Sequence, residues 1–251
     1  MPKTQFSILL SLLATIIAAW LYLFYQYWLM TSLPMSEMWM PPSETSAWQR
    51  MDFGLVYVMW AVMMAAMMLP SAVPMILVFA KICQQRNLAS QPSTFLFVLA
   101  YLLVWFVFSM VLTLLQWQLH GLHFLSPMMD NQSEYLAAVI FLLAGVYQFT
   151  PLKNRFLQNC RSPMGFLLTE WREGKKGSFY MGLKHGGACL GCCWLQMLIM
   201  FAVGVMNLLA MALITLLVLV EKITPVNNQW ICRAGGILFV GWGVWLFPIG
   251  P

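Results

Sequence analysis

The chain has 251 residues, 61% of them hydrophobic and only 8% charged, with twelve tryptophans and a net charge of +5. No soluble domain of this length carries that balance, so the chain reads as an integral membrane protein. Its basic residues form neither an aromatic-interleaved groove nor a recognisable binding module, which removes nucleic acid as a partner.

The first apolar run, Phe6 to Met30, covers about 25 residues, whereas a signal-peptide core needs only about 7 to 15; it is predicted to stay attached as the first span. Segments near 53–80, 95–117, 134–150, 190–220 and 231–248 then approach or exceed the roughly 20 residues that cross a bilayer, with 134–150 at the short end. The expected fold is all-α, a polytopic transmembrane bundle of about six spans forming a single domain over residues 1–251, with no repeat of fixed period. Whether 188–222 is one tilted helix or two broken pieces is open at this level. In a six-span chain Lys3, Lys81, Arg86, Lys153, Arg155, Arg161, Arg172, Lys175, Lys176 and Lys184 fall on one side, leaving Arg50, Lys222 and Arg233 on the other. Cytoplasmic loops retain lysine and arginine, so both termini are expected in the cytoplasm.

The second predicted span holds "MWAVMMAAMMLPSAVPM" at 59–75, where Met59, Met63 and Met67 form one stripe running toward Ser71 and Met64, Met68 and Met75 keep to the neighbouring face. Leucine is the better-defined core filler, so thioether at this density is either pliable packing or a ligand surface. Of the loops on the outer side, one carries Met35, Met38, Met40 and Met51, and its prolines and serines predict irregular backbone. The other, "WQLHGLHFLSPMMDNQSE", brings together His120, His123, Met128, Met129 and Asp130; the two histidines share a helical face if the helix continues, as ligands or as interfacial packing. A long inner loop, 151–187, holds most of the positive charge with Cys160 and His185.

At the inner mouth of the fifth span stands "HGGACLGCCWLQM". Helical spacing places Cys189 and Cys193 on one face with Cys192 beside them and His185 one turn earlier, and three thiols so close exceed ordinary use of cysteine as a small hydrophobe. Cys160, on the same side, is a candidate to join them, while Cys83 and Cys232 stand alone and read as structural. The face continues through Met197, Met200, Gly204, Asn207 and Met211, so thiol, thioether and amide share one stripe. Asn207 needs a hydrogen-bond partner within the membrane and either bridges helices or orients a ligand. Glu221 and Lys222, at the outer end of this span, read as a local or snorkelling ion pair. Soft sulfur donors favour Cu(I), imidazole also serves zinc, and the oxygen clusters that calcium or magnesium require are absent. No phosphate-cradling loop, nucleophile elbow or intramembrane carboxylate pair is present, which removes the parts of ATPases, hydrolases and proton-driven pumps.

The blocks "MWAVMMAAMMLPS", "YQFTPLKNRFLQNCRSP", "CLGCCW" and "FAVGVMNLLAMALITLLVLVEK" occur in the order seen in the DUF2182 family, and the chain resembles that family over about residues 50–248. The resemblance implies a predicted metal-binding integral membrane protein of the bacterial inner membrane, of a kind sometimes labelled copper chaperone. Matched by position, the family's recurrent elements are Trp60, Met63, Met67, Met68, Pro70 and Ser71, then Lys153, Cys160 and Arg161, then Cys189, Cys192, Cys193, Trp194, Gly204, Met206, Asn207, Glu221 and Lys222. The first span and its methionine-bearing loop lie outside these blocks. The expectation is a protein that holds Cu(I), with zinc as the other metal, and delivers it to or stabilises it in a copper-dependent membrane enzyme. Its ligand candidates are Cys189, Cys192, Cys193, Cys160 and His185, then Met63, Met67, Met197, Met200, Asn207, His120 and His123. Two other readings stand beside it: a structural accessory subunit of a membrane complex without its own metal, and a thiol or metal-centred oxidoreductase. Nothing in the sequence requires catalysis.

Overall fold

A computed structural model of the chain describes residues 3–32, 34, 39–42, 44–86, 88, 90–225 and 229–247; Met35 and Met38 of the first outer loop lie outside the described residues. Among those described there are nine α-helices: α1 Lys3–Ser32, α2 Arg50–Gln85, α3 Ser90–Gly121, α4 Glu134–Gln148, α5 Pro151–Arg161, α6 Pro163–Glu170, α7 Gly174–Val203, α8 Leu208–Ile223 and α9 Trp230–Leu246. The fold is all-α, as expected. The count of six spans is not what the helices give. Four are long and apolar enough to cross a bilayer, Gln5–Ser32 within α1 together with α2, α3 and α7, and α4 with α5 makes a fifth only if the two are taken together across a 66° bend.

The helix ends follow local chemistry. Gln49 and Asp52 cap α2 reciprocally, the Gln49 amide donating to the Asp52 carboxylate at 2.8 Å. Ser133, Thr150 and Ser162 accept hydrogen bonds from the first turns of α4, α5 and α6. Pro151 and Pro163 sit just inside the starts of α5 and α6, where a missing N–H costs nothing. The expected inner loop is therefore largely helical: α5 buries Lys153, Leu157 and Cys160 along one face, and α7 begins at Gly174. Within α2, Pro70 lacks the N–H that would bond the Ala66 carbonyl, and the Trp20 indole of α1 donates to that carbonyl at 3.1 Å.

The expected fifth span, 190–220, breaks. Gly204 has φ +97°, a conformation that side chains resist, and it ends α7; Asn207 then caps α8 by accepting from the Ala210 amide at 3.1 Å. The loop after α3 docks on this break, with the Val205 amide donating to the Met129 carbonyl at 3.1 Å. From here α8 folds back along α7, so that Lys222 at its far end meets Cys189 in the middle of α7. Glu221 and Lys222 accordingly move from the outer end of the bundle to the level of Cys189 and Lys153. The start of the first described helix and the end of the last also lie at different levels of the bundle. α1 starts beside Gln91 and Thr94, at the beginning of α3, whereas α9 ends beside Asp130, Asn131 and Glu134, beyond the end of α3.

α2, α3 and α7 enclose the core, in which Trp60, Met63, Met64, Met67, Phe97, Tyr101, Trp105, Met197 and Met200 are fully buried. The α3–α7 crossing is close because glycine makes it so: a Cβ on Gly182 would lie 2.3 Å from the Phe97 carbonyl oxygen. Gly182→Ala is expected to cost about 1–3 kcal/mol through overpacking. Gly187→Ala, where an added Cβ meets nothing within 4 Å, is expected to be neutral or stabilising by up to about 1 kcal/mol. Thermal unfolding in detergent of the two variants separates these outcomes.

Candidate metal centre

α7 carries Cys189, Cys192 and Cys193, all 1% exposed, on the side facing α3, α5 and α8. Cys160, on the buried face of α5, comes within hydrogen-bonding reach of Cys189 and Cys192, so four thiols meet where the sequence allowed for it. All are free thiols. The Cys193 sulfur lies 3.8 Å from the Met68 sulfur of α2, making Met68 the thioether that reaches the group. Cys192 and Cys193 both donate to the Cys189 carbonyl at 3.0 Å.

Cys189 is the hub. Its sulfur receives the Lys222 ammonium at 2.7 Å and lies 3.1 Å from the Tyr101 hydroxyl of α3. Lys222 also donates to the Ser71 hydroxyl at 2.8 Å, and Tyr101 to the Met68 carbonyl at 3.2 Å. The result joins α2, α3, α7 and α8 through one sulfur. Tyr101 was not legible as a site residue, because it sits in the apolar run "YLLVWFVF" and resembles an interfacial aromatic. Lys222 carried a signal, a charge inside an apolar stretch, but its partner is distant in the chain.

His185, 3% exposed, stands one turn before Cys189. Its ring stacks against Phe97 and Tyr101 with centroids 6.0 and 5.7 Å away, meets Phe166 at its edge, and leaves Nδ1 without a hydrogen-bond partner. The other sequence candidates stand elsewhere. Met63, Met67, Met197 and Met200 are fully buried in the core. Asn207 is exposed and spent on capping α8, so it neither bridges helices nor faces the thiols. His120 and His123 do not share a face, because α3 ends at Gly121 between them: His120 is fully buried, while His123 is exposed with φ 59°. Among the described residues no three His, Cys, Asp or Glu side chains already converge on a point that would hold a metal. The Cys192 and Cys193 hydrogens are instead directed at the Cys189 carbonyl.

Beside the thiols lies a second buried network. The Lys153 ammonium pairs with the Glu221 carboxylate at 2.8 Å, both side chains 2% exposed. Gln148 and Gln196 donate to the other carboxylate oxygen at 2.8 and 3.2 Å, and Arg161 donates to the Glu221 carbonyl at 2.7 Å. Glu221 and Lys222 are therefore not a local or snorkelling pair but two adjacent residues with separate long-range partners. Glu221 thus places one carboxylate, paired with a lysine and not with a second acid, inside the bundle. Removing one partner of a buried pair leaves the other charge uncompensated, so Glu221→Ala is expected to destabilise by about 3–5 kcal/mol. Glu173→Ala, which breaks a largely exposed 3.9 Å contact with Arg86, is expected to cost no more than about 1 kcal/mol. Thermal melts of the two variants in detergent check the contrast.

A family model described as PpoB2, copper chaperone, matches residues 57–246, about three quarters of the chain. No curated protein and no solved structure matches. The matched range contains every thiol of the group together with Met68, Ser71, Tyr101, Lys153, Glu221 and Lys222; α1 lies outside it.

Proposed function

Because the chain belongs to the PpoB2 copper chaperone family, we propose that it holds Cu(I) at the Cys160, Cys189, Cys192 and Cys193 group and hands it to a copper-dependent client protein in the same membrane, in bacteria the cytoplasmic membrane. The observation that carries this reading is the Lys222 ammonium set 2.7 Å from the Cys189 sulfur inside a cluster of soft donors. Thiolate and thioether favour Cu(I) over harder cations. A Cu(I) ion held by two thiolates bears one net negative charge, and the single positive charge of Lys222 cancels it where an unbalanced charge is costly. The family description names copper, and no observation supports zinc in its place.

Each residue then has a distinct task. Cys189 and its neighbours supply thiolates, which are the ligand form of cysteine. Met68 offers a weaker sulfur from α2, suited to exchange. Tyr101 and Lys222 orient the Cys189 sulfur by hydrogen bonding, as outer-shell partners do in other metal sites. His185 offers an imidazole one turn away, with Nδ1 unspent.

The test is elemental analysis of full-length protein purified in mild detergent under reducing, anaerobic conditions, beside a Cys189→Ser, Cys192→Ser, Cys193→Ser triple variant. The expected result is about one copper per chain in the wild type and none in the variant, which lacks the ligands that pay for dehydrating the ion. No copper in the wild type, zinc in its place, or copper retained by the variant overturns the reading.

A further inference from the structure

The outward faces of α3 are as apolar as a membrane span requires, with Phe95, Leu99, Leu103, Val107, Met110 and Leu114 all exposed. Its inward face is not. Tyr101, Trp105, Ser109, Thr113, Gln116 and His120 recur at helical spacing and are each no more than 4% exposed. Polar groups inside a membrane bundle are costly, and where they line an interior they mark pathways for ions or substrates. Ser109 and Thr113 satisfy their hydroxyls on the carbonyls one turn back, at 2.8 and 2.9 Å. Trp105 Nε1 and Gln116 Nε2 have no hydrogen-bond partner, and His120, beyond its Gln116 contact, faces only the Ser126 backbone. Packing alone explains neither the residue types nor unmet polar atoms on one stripe.

This stripe begins at the thiols and is paired with thioethers. At one end the Tyr101 hydroxyl touches the Cys189 sulfur and the Met68 carbonyl. Toward the other end the Trp60 indole of α2 donates to the Gln116 side chain at 2.6 Å. These two contacts fix α2 against α3 over the stretch that contains the fully buried Met63, Met64 and Met67, while Met197 and Met200 of α7 are equally buried in the same core. From Tyr101 to His120 the stripe rises about 28 Å at 1.5 Å per residue, close to the thickness of the hydrocarbon layer. It closes on His120, whose Nδ1 is held by the Gln116 carbonyl at 3.0 Å. A metal-binding histidine is ordinarily fixed in this way through its second nitrogen. His123, just past the helix end, is exposed.

We propose that Cu(I) held at the thiols moves along the interior between α2, α3 and α7, from thioether to thioether, to His120 at the far end of the bundle, so that the protein conducts the ion along its length as well as storing it. The ion remains Cu(I) at every step and only its ligands change. This inference rests on the copper-holding role of the thiols.

The test uses the full-length chain in sealed liposomes with a chromogenic Cu(I) chelator trapped inside, Cu(I) supplied outside in ascorbate, and the membrane potential clamped by potassium and valinomycin. Wild type is expected to deliver Cu(I) well above protein-free vesicles. Two variants, His120→Leu and the volume-conserving pair Met63→Leu with Met64→Leu, are expected to slow delivery about tenfold, as loss of a tuned metal contact does elsewhere, while keeping the wild-type copper content in detergent. Wild type that binds copper but delivers none above the protein-free rate overturns the path. So does a methionine pair variant that delivers as fast as wild type, even if His120→Leu fails to fold. Wild type that binds no copper overturns the holding role itself, which the detergent measurement reads separately.

Discussion

The contact between the Lys222 ammonium and the Cys189 sulfur organises this molecule. An ammonium in an apolar bundle has to find partners or be lost from the fold, and here it finds the sulfur at 2.7 Å and the Ser71 hydroxyl at 2.8 Å. That choice brings α8 against α2 and α7. The preceding residue, Glu221, draws the same helix toward α5 and α4 through Lys153 and Gln148. Two neighbouring charges with separate partners thus fasten one short helix to four others. None of this is possible if α7 continues straight. Carried on as helix from Val203, Lys222 would stand about 28 Å beyond the α7 terminus at 1.5 Å per residue. The left-handed turn at Gly204 is what makes the centre possible.

Much of the framework was legible in the sequence, because long apolar runs and helical spacing leave little freedom. The first three predicted spans are found within α1, α2 and α3. The spacing of Cys189, Cys192 and Cys193 was enough to bring them together, and Cys160 joins from the inner segment. What was missed was missed for identifiable reasons. Hydropathy stays high through 190–220, so a break of four residues is hidden, although glycine followed three residues later by a capping asparagine is a helix stop and start signature. The segment after residue 150 looked like a charged loop, yet Thr150-Pro151 and Ser162-Pro163 are cap-and-proline starts. His120 and His123 looked like a pair because the spacing rule assumes a continuous helix, which Gly121 ends. The partners of Glu221 and Lys222 are 68 and 33 residues away, and no local pattern names them.

Under the proposed copper-holding role, the arrangement suits a site that gives up what it holds. The Cys192 and Cys193 hydrogens rest on a backbone carbonyl of their own helix, a modest interaction that side-chain rotation releases. Met68 stands on α2 one turn before Ser71 and beside Pro70, where the helix has lost a backbone hydrogen bond. The carbonyl freed by Pro70 is taken up by Trp20 of α1, a helix outside the family match. The scaffold is firm around Cys189 and adaptable on the methionine side, the combination that the proposed transfer of a soft ion calls for.

The most direct measurement of the central claim is X-ray absorption at the copper edge on protein loaded with one equivalent of Cu(I), comparing wild type with Cys189→Ser and Lys222→Met. Wild type is expected to give a shell in which sulfur dominates. Cys189→Ser is expected to lose sulfur scattering, and Lys222→Met to keep sulfur with weaker retention of the ion, because the charge of the thiolate complex is no longer balanced. A shell made up of nitrogen or oxygen without sulfur in wild type, or a spectrum unchanged by Cys189→Ser, would contradict a thiol-held ion.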